Sequence, residues 1–268
     1  MPTQQFWRDD AMPYVESRRA QHSRACYRPH SHPTLSIGAV DAGASLLQVA
    51  GREDQPLQAG DVVVIPANSL HACNPQPNGA WSYQMLYLDT TWLNGLCEEA
   101  THQPPYLAQA CPSHRRDPAL YRAFCQLNNI LFSPTPAALK EEALIAFVGE
   151  LLLHETPPST TPPAWLPEIC LQLRDQCEQA WPVARLAAHV GLSRYYFIRL
   201  FRQHCGMTPH AYLLDSRIQR ARVLLREGDA LADLAYRLGF SDQSHFQHAF
   251  RQRVAVTPRE YQRGLAVD

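Results

Sequence analysis

The chain has 268 residues, of which 46% are hydrophobic, and its formal net charge at pH 7 is −1. This length suits two domains with cores of their own, and the near-neutral charge excludes a chain that is polybasic throughout. No signal-peptide pattern or apolar run of about 18 residues occurs, and the eight cysteines form no C-x-x-C pair, so we expect a cytoplasmic protein with reduced thiols and no membrane contact.

The first ninety residues have the texture of a β-rich domain. Met1–Arg24 is polar and mixed, which predicts an arm or an edge strand. Runs of β-branched and aromatic residues then alternate with Gly, Pro, Asn and Asp, as is typical of strands and turns. We expect strands at Leu35–Val40, Ser45–Ala50, Val62–Ile65 and Ser82–Leu88. Short strands at this spacing predict a small barrel or a jelly roll.

Two stretches of this region carry histidines at a defined spacing. They read HSHPTLSIGAVDAG over residues 30–43 and GDVVVIPANSLH over residues 60–71, and they resemble the two cupin motifs. Ser36 stands where metal-binding cupins have a glutamate, and Asn68 replaces the glycine of the second motif. The histidines that remain are His30, His32 and His71. Three imidazoles can still hold a divalent metal, so a metal site is left open at this point.

A helical region and a linker follow the predicted strands. Apolar residues recur at helical spacing over Pro118–Phe132 and Pro136–His154, and we expect both helices to pack on the barrel. Residues 156–163 read TPPSTTPP, which is typical of an extended, semi-rigid spacer. After it, Ala164–Ala180 predicts the first helix of a second domain. Residues 164–268 hold 14 basic and 10 acidic side chains, a modest excess that fits contact with phosphates.

Residues 183–204 predict two short helices joined by a tight turn. Gly191 lies where such a turn needs a residue that accepts positive φ, and Ser193 can cap the second helix. Phe197, Leu200 and Phe201 give that helix an apolar inner face. The residues expected to point outward are Arg194, Tyr195, Ile198, Arg199 and Arg202. This arrangement is typical of a helix-turn-helix DNA reader, although an ordinary helical hairpin has the same pattern.

The same pattern occurs a second time. LAAHVGLS at 186–193 is repeated as LAYRLGFS at 234–241, and FIRLFRQ at 197–203 as FQHAFRQ at 246–252. The offset is 48 residues before the turn and 49 after it, so the second turn should carry one extra residue. Between the units, Ala211–Arg226 predicts a connecting helix. Two equivalent units, at 183–204 and 231–253, favour a DNA reader over a hairpin.

The segment from Trp165 to Arg263 resembles the DNA-binding domain of the AraC/XylS transcriptional regulators. The most specific part is LADLAYRLGFSDQSHFQHAFRQRVAVTPREYQ in the second unit. The resemblance implies an α+β multidomain chain. Its parts are a cupin-like β-barrel with following helices for effector binding and dimerisation over 1–155, the linker over 156–163, and an all-α domain of two helix-turn-helix units over 164–268.

The resemblance also implies partners and site residues. The expected partners are double-stranded DNA, a small-molecule effector and a second copy of the chain, with RNA polymerase left open and no cofactor or resident metal expected. Base-contacting places fall on Tyr195, Ile198 and Arg199, with Arg194 and Arg202 at phosphates. In the second unit they fall on Gln243, Ser244, Gln247 and His248, with His245 adjacent. Strand alternation suggests an effector cavity lined by Tyr27, His30, His32, His71, Tyr83 and Met85.

These expectations favour a regulator whose DNA binding responds to a metabolite. Activation is the commoner outcome in the family, and the sequence leaves its sign open. The alternative is a metal-dependent cupin enzyme with an appended helical domain, which would use the three histidines as ligands. The absence of the motif glutamate, replaced by Ser36, and of an obvious general base beside these histidines argues against that alternative.

Overall fold

The computed structural model describes residues 3–49, 52–77, 79–101, 112–152 and 161–264. The chain divides into two compact units, Met1–Glu155 and Thr156–Asp268. Within the described residues, none of the helices combines the length and the apolar character needed to cross a bilayer. The linker predicted over 156–163 lies outside the described residues up to position 160, as do the last two residues of the predicted helix Pro136–His154.

The described residues of the first unit form nine strands in two antiparallel sheets. The strands are β1 Thr3–Trp7, β2 Val15–Ser23, β3 Leu35–Ala42, β4 Ala44–Val49, β5 Gln55–Gln58, β6 Val62–Ile65, β7 His71–Pro75, β8 Trp81–Leu88 and β9 Ser113–Arg115. One sheet has the order β1-β2-β8-β3-β6-β9, and the other has the order β5-β4-β7. The cupin-like β fold expected from the sequence is confirmed. In the polar N-terminal segment, β1 is an edge strand as the sequence allowed, whereas β2 is an inner strand between β1 and β8.

The core of the first unit lies between its two sheets. Leu47 and Leu57 of the small sheet pack with Val40, Ile65 and other side chains of the large sheet, and all four are fully or almost fully buried. Burial of this many aliphatic side chains is the main source of stability for such a barrel. Along β8, alternate side chains face opposite sides of the sheet, which gives one side to the barrel interior.

In the part of the first unit that the structure describes, three helices are present, namely α1 Thr90–Thr101, α2 Pro118–Leu131 and α3 Ala137–Leu152. Asp117 caps α2 by accepting hydrogen bonds from the amides of Ala119 and Leu120, at 2.8 and 3.2 Å. Helices α2 and α3 pack together through the edge-to-face contact of Phe124 with Phe147. The sequence analysis predicted α2 and α3 but missed α1, whose apolar residues are few and spread among polar ones.

The second unit is all-α. Its helices are α4 Leu166–Asp175, α5 Val183–His189, α6 Arg194–Cys205, α7 Pro209–Arg226, α8 Leu231–Arg237, α9 Gln243–Val254 and α10 Pro258–Gly264. Helix α4 is shorter than the predicted Ala164–Ala180. The connecting helix α7 is 18 residues long, or about 27 Å at 1.5 Å per residue. Each helical pair places two phenylalanines at its centre: Phe197 and Phe201, then Phe246 and Phe250.

Candidate effector cavity and nucleic-acid interface

A cavity of about 60 Å³ opens in the first unit. All six side chains that strand alternation suggested line it. They are Tyr27, His30, His32, His71, Tyr83 and Met85. Four further residues complete the lining, namely Arg18, Cys73, Trp81 and Tyr87. The alternation of β8 could have identified Trp81 and Tyr87, which lie two residues before Tyr83 and two after Met85. Arg18 lies in β2, within the polar segment that the sequence predicted only as an arm or an edge strand.

Backbone hydrogen bonds bring the three histidines together. His30 and His71 form an isolated antiparallel bridge in which each amide donates to the other's carbonyl, at 2.9 and 3.0 Å. Asn68 donates its amide to the carbonyl of His32 at 2.8 Å. Asn68 has a φ of 60°, which asparagine tolerates better than most residues, so it can replace the glycine of the motif. The ring centroids of His30 and His32 lie 4.8 and 4.9 Å from that of His71.

Two polar residues, one in the first motif and one just after the second, hold neighbouring groups in place. The Asn74 side chain accepts the amide of Tyr27 at 2.6 Å and donates to the carbonyl of Tyr27 at 3.0 Å. Ser36, at the place of the cupin glutamate, is fully buried, and its Oγ lies 3.2 Å from Nδ1 of His32. These contacts fix Tyr27 and His32 at the cavity instead of supplying a carboxylate to it.

Arg18 makes the cavity electropositive. Its Nη2 donates to the Tyr27 hydroxyl at 2.8 Å, and its guanidinium lies 5.5 Å from the ring centroid of Tyr83. Burial opposes the charged form, but the hydrogen bond to Tyr27 and the nearby tyrosines raise the pKa of Arg18, which stays protonated. The described lining contains no carboxylate. Among the described residues, the buried Nε of Arg18 and Nε1 of Trp81 have no hydrogen-bond partner.

Burial also determines the protonation of the other cavity residues. Burial lowers the pKa of His32 and His71, with the positive charge of neighbouring histidines acting in the same direction, so both rings favour the neutral form. Burial raises the pKa of the Cys73 thiol to about 12, and it raises the pKa of Tyr87. The cavity therefore offers neutral imidazoles and hydroxyls next to one permanent cation.

In the second unit, α5 and α6 form the first helix-turn-helix pair, which we call module 1 (residues 183–205). Gly191 has a φ of 69° in the turn, as the sequence predicted. The Ser193 hydroxyl accepts the amide of Tyr196 at 3.3 Å and caps α6. At the other end of α6, Gly206 has a φ of 74° and donates its amide to the Arg202 carbonyl. A glycine in this left-handed conformation is a usual end for a helix.

Two of the residues expected to point outward from α6 are buried. Tyr195 is 3% exposed and Ile198 is 1% exposed, which contradicts that part of the prediction. Successive residues of a helix are rotated by about 100° around its axis. Ile198 and Tyr195 lie on one side of the buried pair Phe197 and Phe201, and they widen the buried face in that direction. Leu200 lies on the opposite side of this pair and is only half-buried. Arg202 is exposed, and Arg194 and Arg199 are partly exposed. Tyr196 and Gln203 share the Arg199 side of the helix at i, i+3 and i+7, and the sequence analysis missed them.

Helices α8 and α9 form the second pair, module 2 (residues 231–254). Five residues, 238–242, separate its helices, against four, 190–193, in module 1, which confirms the extra residue expected in the second turn. Gly239 has a φ of 74°, and Asp242 caps α9 by accepting the His245 amide at 2.7 Å. Gln243, Ser244, Gln247 and His248 are exposed on α9, and His245 is half-buried.

Arg217 of α7 attaches module 2 to the rest of its unit. Its Nη1 donates to the Gly239 carbonyl at 2.7 Å. Its Nε donates to Cys177 at 2.7 Å, and its Nη2 donates to Gln179 at 2.9 Å, in both cases to the carbonyl oxygen. Burial lowers the pKa of this guanidinium, although a shift from so high a value leaves it charged. One arginine thus joins the segment after α4, the connecting helix and the turn of module 2.

A barrel with a polar cavity, together with two capped helix-turn-helix modules, defines a DNA-binding regulator with a ligand-binding domain. Comparison with known families agrees. The model described as AraC-like ligand binding domain matches residues 13–148, and the model described as helix-turn-helix domain matches residues 186–264. The chain belongs to the AraC family of transcriptional regulators.

Individual relatives match either most of the chain or a part of it. The chain is 26% identical over 243 residues to the HTH-type transcriptional regulator YbfI of Bacillus subtilis (strain 168), covering 87% of this chain and 86% of YbfI. The HTH-type transcriptional activator RhaS of Enterobacter sp. (strain 638) is 45% identical over 67 residues, which are 25% of this chain and 24% of RhaS. The crystal structure of ToxT from Vibrio cholerae O395 aligns with 100% of this chain and 99% of its own, at 12% identity and a TM-score of 0.35.

Proposed function

We propose that this regulator reads its operator through α6 and α9 and that a small molecule in the cavity controls this binding. The main observation in support is the duplicated module, in which each second helix is capped at its start and carries polar side chains on its outer side. Helices of this type enter the major groove with their N-terminal half at the base edges. Cytoplasmic localisation is part of the proposal, because the operator lies on the chromosome.

Arg199 is the residue we assign to base recognition in module 1. A guanidinium can bond O6 and N7 of one guanine together, which discriminates between bases by about 1–3 kcal/mol. Arg194 and Arg202 are assigned to phosphates, which supply affinity with little sequence preference. In module 2, Gln243 and Gln247 suit adenine, and Ser244, His245 and His248 lie beside them. The burial of Tyr195 and Ile198 leaves both out of this assignment.

The effector proposed for the cavity is a small molecule with hydrogen-bond acceptor groups. The Arg18 guanidinium and the buried N–H of Trp81 are donors that such groups would satisfy. Control of DNA binding requires that the effector bind one arrangement of the protein better than another. We further propose that the regulator acts as a homodimer with α3 at the interface. We also propose that it activates transcription, as the name of RhaS states for that protein. In doing so it would contact RNA polymerase.

The enzyme alternative receives no support from the comparisons, because the named relatives are transcriptional regulators. Among the described residues, the cavity also lacks a counterpart of the glutamate ligand of metal-binding cupins. Its described lining holds no carboxylate to serve as a general base, and the serine at the cupin glutamate position is fully buried against His32. We therefore propose a regulator without catalytic activity.

Substitution of Arg199 tests the assignment of the reading helices. Duplexes would first be selected from a random-sequence pool with the full wild-type chain, and the binding of Arg199→Ala to the selected duplex would then be measured by fluorescence anisotropy. We expect its preference for the selected sequence over a scrambled duplex to fall roughly 5- to 150-fold. Unchanged preference in a folded Arg199→Ala protein would contradict the assignment.

Arg202→Ala is the matched comparison on the same helix. Loss of a phosphate contact should weaken binding to both duplexes by a similar factor. It should also reduce the slope of log K against log salt concentration by about 1, since one counterion fewer is released. If Arg202→Ala instead relaxed the sequence preference while Arg199→Ala did not, the two roles would have to be exchanged. Circular dichroism of both variants would verify that the helices are intact.

A further inference from the structure

Three imidazole rings meet at one end of the effector cavity. One ring nitrogen from each of His30, His32 and His71 can be chosen so that all three lie within 4.8 Å of one another. We propose that these three histidines bind a divalent transition-metal ion of the zinc type. Imidazole is the nitrogen ligand that zinc, copper and nickel prefer in proteins.

In two of the rings, the hydrogen bonds made by Nδ1 leave Nε2 available for a metal. Nδ1 of His30 lies 2.9 Å from the carbonyl oxygen of Arg28, and Nδ1 of His71 lies 2.9 Å from that of Ser69. A carbonyl oxygen can only accept, so each Nδ1 carries the hydrogen and each Nε2 carries a lone pair. Metal-binding histidines usually have their second nitrogen held by a backbone carbonyl in this way, which fixes the tautomer and the ring orientation.

Neighbouring oxygens contact the third ring. The Ser36 hydroxyl oxygen lies 3.2 Å from Nδ1 of His32 and 3.4 Å from its Nε2, and the carbonyl oxygen of Thr34 lies 3.4 Å from Nδ1. Its backbone carbonyl accepts the Asn68 amide, while His30 and His71 are joined by two backbone hydrogen bonds. The three α-carbons therefore do not depend on a metal for their position, and small side-chain rotations are enough to complete the site.

Distances and volume both suit an ion. Nitrogen ligands 2.0–2.1 Å from a tetrahedral zinc lie roughly 3.3 Å apart, so nitrogens within 4.8 Å must close by about 1.5 Å or less, shared among three rings. The cavity volume of about 60 Å³ holds an ion with a few waters, whereas pockets for drug-sized organic ligands are typically about 300–1,000 Å³.

The charge of Arg18 determines what completes the coordination. Three protein ligands leave a fourth position open, as in zinc sites that bind water or a small ligand. A metal ion and the Arg18 guanidinium on one cavity repel each other unless an anion lies near both. We therefore expect the open position to bind hydroxide or a carboxylate oxygen. The proposed metal site does not depend on the DNA-binding role, because it rests on the first unit alone.

Cobalt binding tests the proposal with a spectroscopic readout. The full chain, made without a histidine tag and treated with chelator, would be titrated with Co²⁺, and Zn²⁺ binding would be measured by calorimetry. We expect one ion per chain, with visible d–d absorption of tetrahedral or five-coordinate cobalt that Zn²⁺ abolishes. Affinity should follow the general order in which Cu²⁺ exceeds Ni²⁺ and Ni²⁺ exceeds Co²⁺.

Histidine substitutions locate the site. His30 is exposed, so His30→Ala should fold normally. Its affinity for Co²⁺ should fall at least about tenfold, because removing even a residue that hydrogen-bonds to a metal ligand lowers metal affinity by about 10- to 100-fold. The triple variant His30→Ala, His32→Ala, His71→Ala should not bind Co²⁺ at all. His114→Ala is the matched control, because His114 is exposed on β9 away from the cavity lining, and it should bind like the wild type.

Three results would overturn the proposal. The first is an absence of cobalt absorption in the wild-type protein. The second is wild-type affinity in both His30→Ala and the triple variant, which would place the ion elsewhere. The third is intense sulfur-to-cobalt charge transfer, which would assign the ion to cysteine thiolates. A chain that selects its operator but binds no metal would overturn this proposal and leave the proposed function standing.

Discussion

The two helix-turn-helix modules have the same backbone arrangement and equivalent packing residues, but their exposed side chains differ. The ring of Phe201 in module 1 meets that of Tyr212 in α7 edge-to-face at 5.6 Å, and Phe250 in module 2 meets Tyr261 in α10 in the same way at 5.6 Å. The hydroxyl of Thr208 caps α7, and that of Thr257 accepts the Glu260 amide at the start of α10. The repeated apolar and capping residues therefore preserve the geometry of each module.

The exposed sides of the reading helices α6 and α9 differ at equivalent positions. Arg199 corresponds to His248 across the repeat, and Ile198 corresponds to Gln247. Ile198 is buried whereas Gln247 is exposed, and Leu200 is half-buried whereas its counterpart Ala249 is buried. The buried arc of α9 is thus displaced toward the opposite side from that of α6. The two helices present different chemistry, with arginines on one and amides and imidazoles on the other.

The largest difference we predict between the modules is at their turn glycines. A methyl group added at Gly239 would overlap the carbonyl oxygen of Glu178 and lie 2.8 Å from Nη2 of Arg217, whereas one at Gly191 would meet nothing within 4 Å. We expect Gly239→Ala to destabilise module 2 by more than about 3 kcal/mol, since backbone overlap adds to the strain of positive φ. Hydrogen exchange of peptides covering 231–254 would show this as lost protection.

Gly191→Ala separates strain from overlap. It has the same conformational strain without the collision, and the lower entropy of the unfolded chain offsets part of that strain, so module 1 should lose only about 0.5–1 kcal/mol of local stability. Similar losses at both turns would mean that the segment after α4 yields easily, and that the contacts of Arg217 with Cys177, Gln179 and Gly239 do not hold module 2 in place.

The sequence predicted most where residues repeat or alternate. The glycine turns, the Ser193 cap and the extra residue of the second turn follow from local backbone chemistry, and the structure confirms them. The cavity side of β8 follows from the period of two, which brought Tyr83 and Met85 to the same cavity. Base contacts and effector binding stay predictions.

Other features depend on packing that one segment cannot reveal. Arg18 lies in VESRRAQHS, a polar stretch that becomes a strand only because β1 and β8 pair with it on both sides. Tyr195 and Ile198 were assigned outward because the inner face was placed on Leu200, and a rotation of the buried arc by one residue was enough to make that wrong. Helical periodicity predicts which residues share a side of the helix, but the packing of the other helices against it determines how wide the buried side is.

A smaller effect of opposite sign is predicted at the helix ends. Gly206 ends α6 with a φ of 74°, and its counterpart Ala255 ends α9 with a φ of 67°, where a side chain is strained. Ala255→Gly should therefore stabilise module 2 by about 0.5–1 kcal/mol, and Gly206→Ala, which meets no atom within 4 Å, should destabilise module 1 by a similar amount. Thermal unfolding of the full chain, with exchange to assign the module, would measure both. No change in either variant would show that these ends are frayed in solution.

The smallest predicted difference is the response of the modules to acid. Module 2 is capped by Asp242, whose pKa is lowered by the hydrogen bond from the His245 amide, whereas module 1 is capped by the Ser193 hydroxyl, which does not titrate. A lowered carboxyl pKa stabilises the folded state above the unfolded value of about 3.9, and this is lost as pH falls through the folded value. Burial lowers the pKa of His245 in the folded protein. Below the unfolded value of about 6.5, the unfolded chain therefore binds a proton more readily than the folded one, and the folded state loses stability.

Both shifts therefore weaken module 2 in acid, in two steps, while Tyr196 at the place of His245 gives module 1 no such group. We expect exchange protection of α9, corrected for intrinsic rates, to fall relative to α6 first below about pH 6.5 and again below about pH 4. His245→Tyr should remove the first step, and Asp242→Asn, which can still cap without titrating, should remove the second. Parallel loss of protection in α6 and α9 would contradict the assignment of acid sensitivity to these two residues, because it would place the responsible groups in the shared core of the unit.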